Sequence, residues 1–165
     1  MIDAVGDVLA WGVDCCLDIF GAGPDEEMLN HYIREKGVQD KITLKGFSHE
    51  IHQEIANSAA FILSSNYEGI SNSMIEALAI GTPVVSTDYP PGGARMFIED
   101  GVNGLLVPVG DRARLAEAIE RVLADVDAAE AMGERATAIR EELDVEKITT
   151  RWLEFIDRVG GRQGR

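Results

Sequence analysis

Residues 60–86 read Ala60-Phe61-Ile62-Leu63-Ser64-Ser65-Asn66-Tyr67-Glu68-Gly69-Ile70-Ser71-Asn72-Ser73-Met74-Ile75-Glu76-Ala77-Leu78-Ala79-Ile80-Gly81-Thr82-Pro83-Val84-Val85-Ser86. The order of residue types here decides the fold. Residues 60–64 are an apolar run short enough for a buried strand. The polar segment from Ser65 to Ser73 is a loop, and a helix follows over about 74–80. Gly81-Thr82-Pro83 stops that helix, and residues 84–86 form the next strand. Strand, polar loop, helix and strand in this order are one unit of a parallel sheet.

The same alternation extends in both directions. Upstream, residues 2–11 read as the end of a helix, and residues 15–20 as a strand closed by the turn Gly21-Ala22-Gly23-Pro24. Residues 25–36 form a helix with Met28, Leu29, Tyr32 and Ile33 on one apolar stripe, ended by Gly37. Residues 42–44 are a strand, and Ser48 caps a helix running to about Ser58. Downstream, Pro90-Pro91-Gly92-Gly93 turns the chain into a short helix over 94–99. Residues 105–107 are the last strand, and Asp111 caps a helix carrying Leu115, Ala118, Ile119, Val122 and Leu123. Helices over 128–142 and 146–159 complete the chain, and 160–165 are expected to be a disordered tail. The fold class is therefore α/β: a Rossmann-like parallel sheet with helices on both faces, occupying residues 1–145.

A chain of 165 residues with 45% hydrophobic and 27% charged residues holds one domain with a true core. The formal charge of −14 excludes general affinity for nucleic-acid backbones. It does not exclude a compact diphosphate, which backbone amides hold whatever the net charge. No apolar run reaches the roughly 20 residues that span a bilayer, and residues 1–11 lack the basic start of a secretory signal, so a cytoplasmic location is expected. Cys15 and Cys16 are adjacent and would point to opposite faces of a strand, so they are expected as buried free thiols. His31, His49 and His52 lack an acidic partner at metal-ligand spacing and read as surface residues; no metal site is expected.

Ligands of open parallel sheets bind outside the carboxyl ends of the strands. The loop after Ser64 carries Glu68 and, eight positions on, Glu76, with Gly69, Ser71, Asn72 and Ser73 between them and Met74 at the helix start. Free backbone N–H groups there suit a phosphate. Glu76, just inside the helix, can accept two hydrogen bonds from a ribose diol. The alternative is a capping box, in which Ser73 and Glu76 satisfy helix-end donors and bind nothing. Lys45-Gly46-Phe47, after a strand, either bracket a nucleobase or merely turn the chain with Phe47 in the core. Arg95 is a ligand candidate or a solvated charge. Gly21 and Gly23 do not open a dinucleotide fingerprint, because Glu26 stands at the third glycine position and Pro24 interrupts.

The string from Glu68-Gly69 through Glu76-Ala77-Leu78-Ala79-Ile80-Gly81-Thr82-Pro83-Val84-Val85 resembles the E-x7-E signature of family 4 glycosyltransferases, the glycosyl transferases group 1. Asp18-Ile19-Phe20-Gly21-Ala22-Gly23-Pro24, Leu44-Lys45-Gly46-Phe47, Ser86-Thr87-Asp88 and Asn103-Gly104-Leu105-Leu106-Val107-Pro108 are similar to further blocks of that family. Pro90-Pro91-Gly92-Gly93-Ala94-Arg95 resembles members that build polysaccharides or oligosaccharides with hexoses or N-acetylhexosamines.

The resemblance implies the C-terminal, donor-binding half of a GT-B enzyme. It assigns the donor sugar to Glu68, as the catalytic residue, and the nucleotide ribose to Glu76. Gly21 and the Lys45-Gly46-Phe47 block join the donor site. The donor is a nucleotide diphosphate sugar, UDP-linked by preference and GDP-linked as the other option, with no cofactor. Transfer goes to an acceptor hydroxyl with retention at the anomeric carbon. An N-terminal acceptor domain is the expected partner, and the full enzyme can touch the inner face of a membrane. Such enzymes carry an Arg and a Lys about five residues apart after the first strand of this domain, whereas the first basic side chain here that belongs to Lys or Arg is Arg34. The expectation is thus a sheet without its first, central strand, a final helix partly exposed, and no transferase activity from this chain alone. A GT-B nucleotide-sugar epimerase, a non-catalytic binding module and a remnant are the other readings.

Overall fold

The computed structural model describes residues 1–160. Its elements are α1 (Ile2–Ala10), β1 (Leu17–Phe20), α2 (Glu26–Glu35), β2 (Ile42–Gly46), α3 (Ile51–Ala56), β3 (Phe61–Leu63), α4 (Asn72–Ile80) and β4 (Val84–Thr87). A 3-10 turn (Ala94–Met96) leads to β5 (Leu105–Val107), α5 (Arg112–Ala124), α6 (Val126–Ala136), α7 (Ile139–Glu142) and α8 (Val145–Gly160). All observed strand pairings are parallel.

Side-chain alternation explains why β3, β4 and β5 are covered on both faces. Val84 and Val85 are both fully buried, but in different clusters. Val85 joins Leu105 and Val107 with Val5 and Val8 of α1 and Leu115 and Ile119 of α5. Val84 joins Met74, Ala77 and Leu78 of α4, Ile55 of α3 and Ile139 of α7. Both clusters are made of apolar side chains at nearly zero exposure, so truncating one, such as Leu78→Ala, costs about 2–5 kcal/mol.

The strands form two ladders, β1–β2 and β3–β4–β5, with no strand pairing between them among the described residues. The halves are joined instead by packing: Leu17 and Ile42 share the cluster of Val85 and Leu105. Asp3 accepts a hydrogen bond from the Tyr32 hydroxyl at 2.8 Å and pairs with Lys36 at 3.2 Å, tying α1 to α2. Asp7 and Arg112 form a bidentate pair that ties α1 to α5.

Several boundaries differ from the sequence reading. The first strand begins at Leu17, so Cys15 and Cys16 precede it; Cys15 is half-buried and Cys16 exposed, not buried as expected. Ser48 does not cap α3, because its hydroxyl accepts from Glu50 N–H at 3.1 Å and the helix starts later, at Ile51. Met28 is exposed, so the α2 stripe is narrower than expected. The helix expected over 128–142 breaks at Thr137, whose hydroxyl donates to the Glu134 carbonyl at 2.7 Å, into α6 and α7. No residue of α8 is buried, and all but the half-buried Ile148 are exposed, including Trp152, Leu153, Phe155 and Ile156. Gly160 closes α8, and the rest of the expected tail lies outside the described residues.

Candidate functional site

The start of α4 organises the site. Ser71 is its N-cap, and the Ser71 hydroxyl accepts from Met74 N–H at 3.4 Å. The helix therefore begins at Asn72, two residues before the sequence reading, and Ser73 lies inside it. The capping box built on Ser73 and Glu76 does not form, because with Ser71 as the N-cap the third helical position, which such a box needs, is Met74, and Glu76 lies two residues beyond it. Its carboxylate is instead directed outward, 43% exposed. Gly81 ends the helix in the left-handed region, φ +94°, and its N–H reaches the Ala77 and Leu78 carbonyls, which is the termination that Gly81-Thr82-Pro83 implied.

The loop between β3 and α4 is held by its neighbours. The Thr87 hydroxyl donates to the Ser65 carbonyl at 2.6 Å, fastening the loop to the end of β4. The Ser65 hydroxyl donates to Glu68 Oε1 at 3.1 Å, which orients this carboxylate. Tyr89 is fully buried behind it; burial, with the Glu68 charge added, pushes the Tyr89 phenol above its ordinary value. Gly93 presses so closely on the Gly69 carbonyl that a Cβ there would overlap it. The Pro90-Pro91-Gly92-Gly93 turn and the Glu68 loop are thus one packed unit.

Arg95 lies at the edge of that unit and forms a bidentate pair with Asp88, so its charge is already partnered. At the end of β2, Gly46 takes φ +67° and its carbonyl accepts from Gly21 N–H at 2.8 Å, closing the ends of β1 and β2 together. Lys45 pairs with Asp18 on β1 at 3.3 Å. Phe47 is 76% exposed, so it does not pack in the core. His49 meets the Phe47 ring edge-on at 5.0 Å between centroids.

One contact joins the two regions. His52 Nε2 on α3 lies 3.3 Å from Glu76 Oε2 on α4. Sequence reasoning missed it because the partners are 24 positions apart on different helices, and no spacing rule links them. It also missed Ser65, Tyr89 and the close approach of Gly93, which are tertiary contacts without a local signature. No group of three or more His, Cys, Asp or Glu able to hold a metal occurs among the described residues. Among those residues no helix is long and apolar enough to cross a membrane.

A parallel α/β sheet with helices on both faces and polar loops at its strand ends defines a Rossmann-like domain of the GT-B glycosyltransferase type. The chain belongs to the glycosyl transferases group 1 family, whose model matches residues 1–139. It is 34% identical over 140 residues to an alpha-D-kanosaminyltransferase of Streptomyces kanamyceticus, covering 84% of this chain and 36% of that protein. A mutant TarM of S. aureus, solved with fondaparinux, alpha-GlcNAc-glycerol and UDP, superposes with a TM-score of 0.87 at 27% identity, over 93% of this chain and 31% of that one. The pneumococcal O-GlcNAc transferase GtfA, solved with UDP and GlcNAc, gives 0.82 at 27% identity, over 96% and 32%. The chain thus spans about a third of the length of these relatives.

Proposed function

We propose that this chain is the donor-binding part of a retaining glycosyltransferase. Glu76 accepts hydrogen bonds from the ribose hydroxyls of a nucleotide diphosphate sugar, and the backbone N–H groups of Asn72 and Ser73, which the Ser71 cap leaves free, face the diphosphate. Glu68 faces the donor sugar, Gly46 and Phe47 flank the base, and Gly21 completes the rim. The observation that carries this reading is that Ser71 alone caps α4, which leaves the Glu76 carboxylate free of helix-end duties and half-exposed. Ser65 meanwhile holds Glu68 in the preceding loop.

UDP in the TarM and GtfA structures favours a UDP-sugar donor, with GDP-sugar second. Transfer to an acceptor hydroxyl in glycan synthesis belongs to a longer assembly in which another domain binds the acceptor, since relatives are about three times as long. Free cysteines suit a reducing, cytoplasmic setting. Arg95 has a lesser part, as the Asp88 pair already occupies its guanidinium.

Calorimetric titration of the purified chain with UDP and GDP, beside Glu76→Ala, tests the proposal. UDP binding should weaken by roughly 10- to 100-fold in the variant, the equivalent of about 1.5–3 kcal/mol for charge-assisted hydrogen bonds. Equal affinity in both proteins would remove Glu76 from the ribose site. Absence of binding to the folded, unaltered chain would favour the remnant reading.

A further inference from the structure

The Glu76 carboxylate has a built neighbour. His52 Nε2 sits 3.3 Å from Glu76 Oε2, although the two side chains are 66% and 43% exposed. Two flexible side chains meeting in water seldom hold one geometry, because their rotamer entropy opposes it. Here the backbones beneath them are registered by buried contacts. The Thr82 hydroxyl, just beyond α4, donates to the Ile55 carbonyl of α3 at 2.9 Å. Ile55, one turn after His52, is buried with Met74, Ala77 and Leu78. With α3 and α4 fixed to each other in this way, only side-chain torsions separate the imidazole from the carboxylate.

A carboxylate offers about four lone-pair sites on two oxygens. His52 Nε2 stands 3.3 Å from one oxygen, close enough that a small side-chain rotation lets its N–H donate there and restrain the Glu76 side chain, while both oxygens keep room to accept a hydroxyl. Either the imidazolium or the neutral tautomer protonated at Nε2 can make this donation. His49 makes no such contact, being placed against the Phe47 ring.

We propose that His52 is a positioning residue that holds the Glu76 carboxylate in the orientation required by the vicinal hydroxyls of the nucleotide ribose. The proposal rests on the assignment of Glu76 to the ribose made above. It makes ribose recognition a property of α3 and α4 together, and it gives His52 a role specific to the diol rather than to the base or the phosphates.

The test titrates the full chain with UDP and with 2′,3′-dideoxy-UDP, which lacks both hydroxyls, for the unaltered protein and for His52→Ala, His52→Gln and Glu76→Gln. The unaltered chain should prefer UDP. His52→Ala should weaken UDP about two- to fivefold, the range of an exposed ion pair, and leave the dideoxy nucleotide unchanged. His52→Gln, which keeps an N–H donor, should recover most of the loss, and adding His52→Ala to Glu76→Gln should have no further effect. Equal weakening of both nucleotides by His52→Ala, or no weakening of either while Glu76→Gln abolishes the preference, would overturn the role of His52 and leave Glu76 in place. Full retention of the preference in Glu76→Gln, or no preference in the unaltered chain, would overturn the Glu76 assignment and this proposal with it.

Discussion

Replacement of Gly93 by alanine isolates one contact on which the site depends. Gly93 has φ −59° and ψ −34°, a conformation open to any residue, so alanine brings no backbone strain. The cost is steric alone. A Cβ at this position overlaps the Gly69 carbonyl oxygen, lies 3.0 Å from the Gly69 carbonyl carbon and 3.3 Å from Tyr89 Cε2. Ordinary C···O separations are about 3.3 Å or more, so the loop must retreat by roughly 1.4 Å. Tyr89 is fully buried and cannot yield, which leaves the Glu68 loop as the part that moves. Overpacking of this kind costs about 1–3 kcal/mol, or a fall in Tm of roughly 2–12 °C at about 2–4 °C per kcal/mol. Scanning calorimetry measures the first effect and UDP titration the second; both should decline. Gly23→Ala is the control, since nothing lies within 4 Å of its added Cβ and Gly23 has no positive φ; it should stay within about 0.5 kcal/mol of the parent. An unchanged Tm and unchanged affinity in Gly93→Ala would refute the claim that the two loops are one packed unit.

Gly133→Ala should destabilise by about 1–3 kcal/mol, because its Cβ overlaps the Gly81 carbonyl where α6 meets the end of α4; a urea unfolding curve shows it. Thr82→Val removes the buried donor to the Ile55 carbonyl and should cost about 1–3 kcal/mol in the same assay, with an unaltered curve counting against the α3–α4 link. The Tyr32 hydroxyl, with Lys36 beside it, holds the Asp3 carboxyl below its ordinary value. A carboxyl depressed on folding stabilises above its unfolded value near pH 4 and loses that contribution as pH falls through its folded value. Asp3→Asn should therefore lose less of its urea midpoint between pH 6 and pH 3 than the parent, and identical losses would exclude the pair from acid unfolding.

Local pattern carried a large share of the architecture. The apolar run before Ser64, the stop at Gly81-Thr82-Pro83 and the cap at Asp111 each depend on residues within a few positions of one another, and β5 and α5 follow from such signals. The start of α4 was less legible. Ser71 and Ser73 both offer a hydroxyl before an apolar helix, and local pattern alone does not rank them; the structure selects Ser71, which is buried and reaches Met74 N–H. Cys15 and Cys16 looked like strand residues because they are apolar, yet pairing with β2 begins only at Leu17 opposite Ile42.

The sequence by itself determined the family, the alternating α/β order and the two glutamates eight positions apart, because each is a property of residue type and spacing along the chain. Tertiary structure alone decided that the strands form two ladders, that Phe47 faces outward, that Arg95 is partnered by Asp88, and that His52 stands beside Glu76. The physical reason is range. Helix periodicity and turn chemistry act over a few bonds, whereas the direction of a carboxylate depends on which distant side chains the burial of Val84, Val85, Ile55 and Leu78 brings within hydrogen-bond reach.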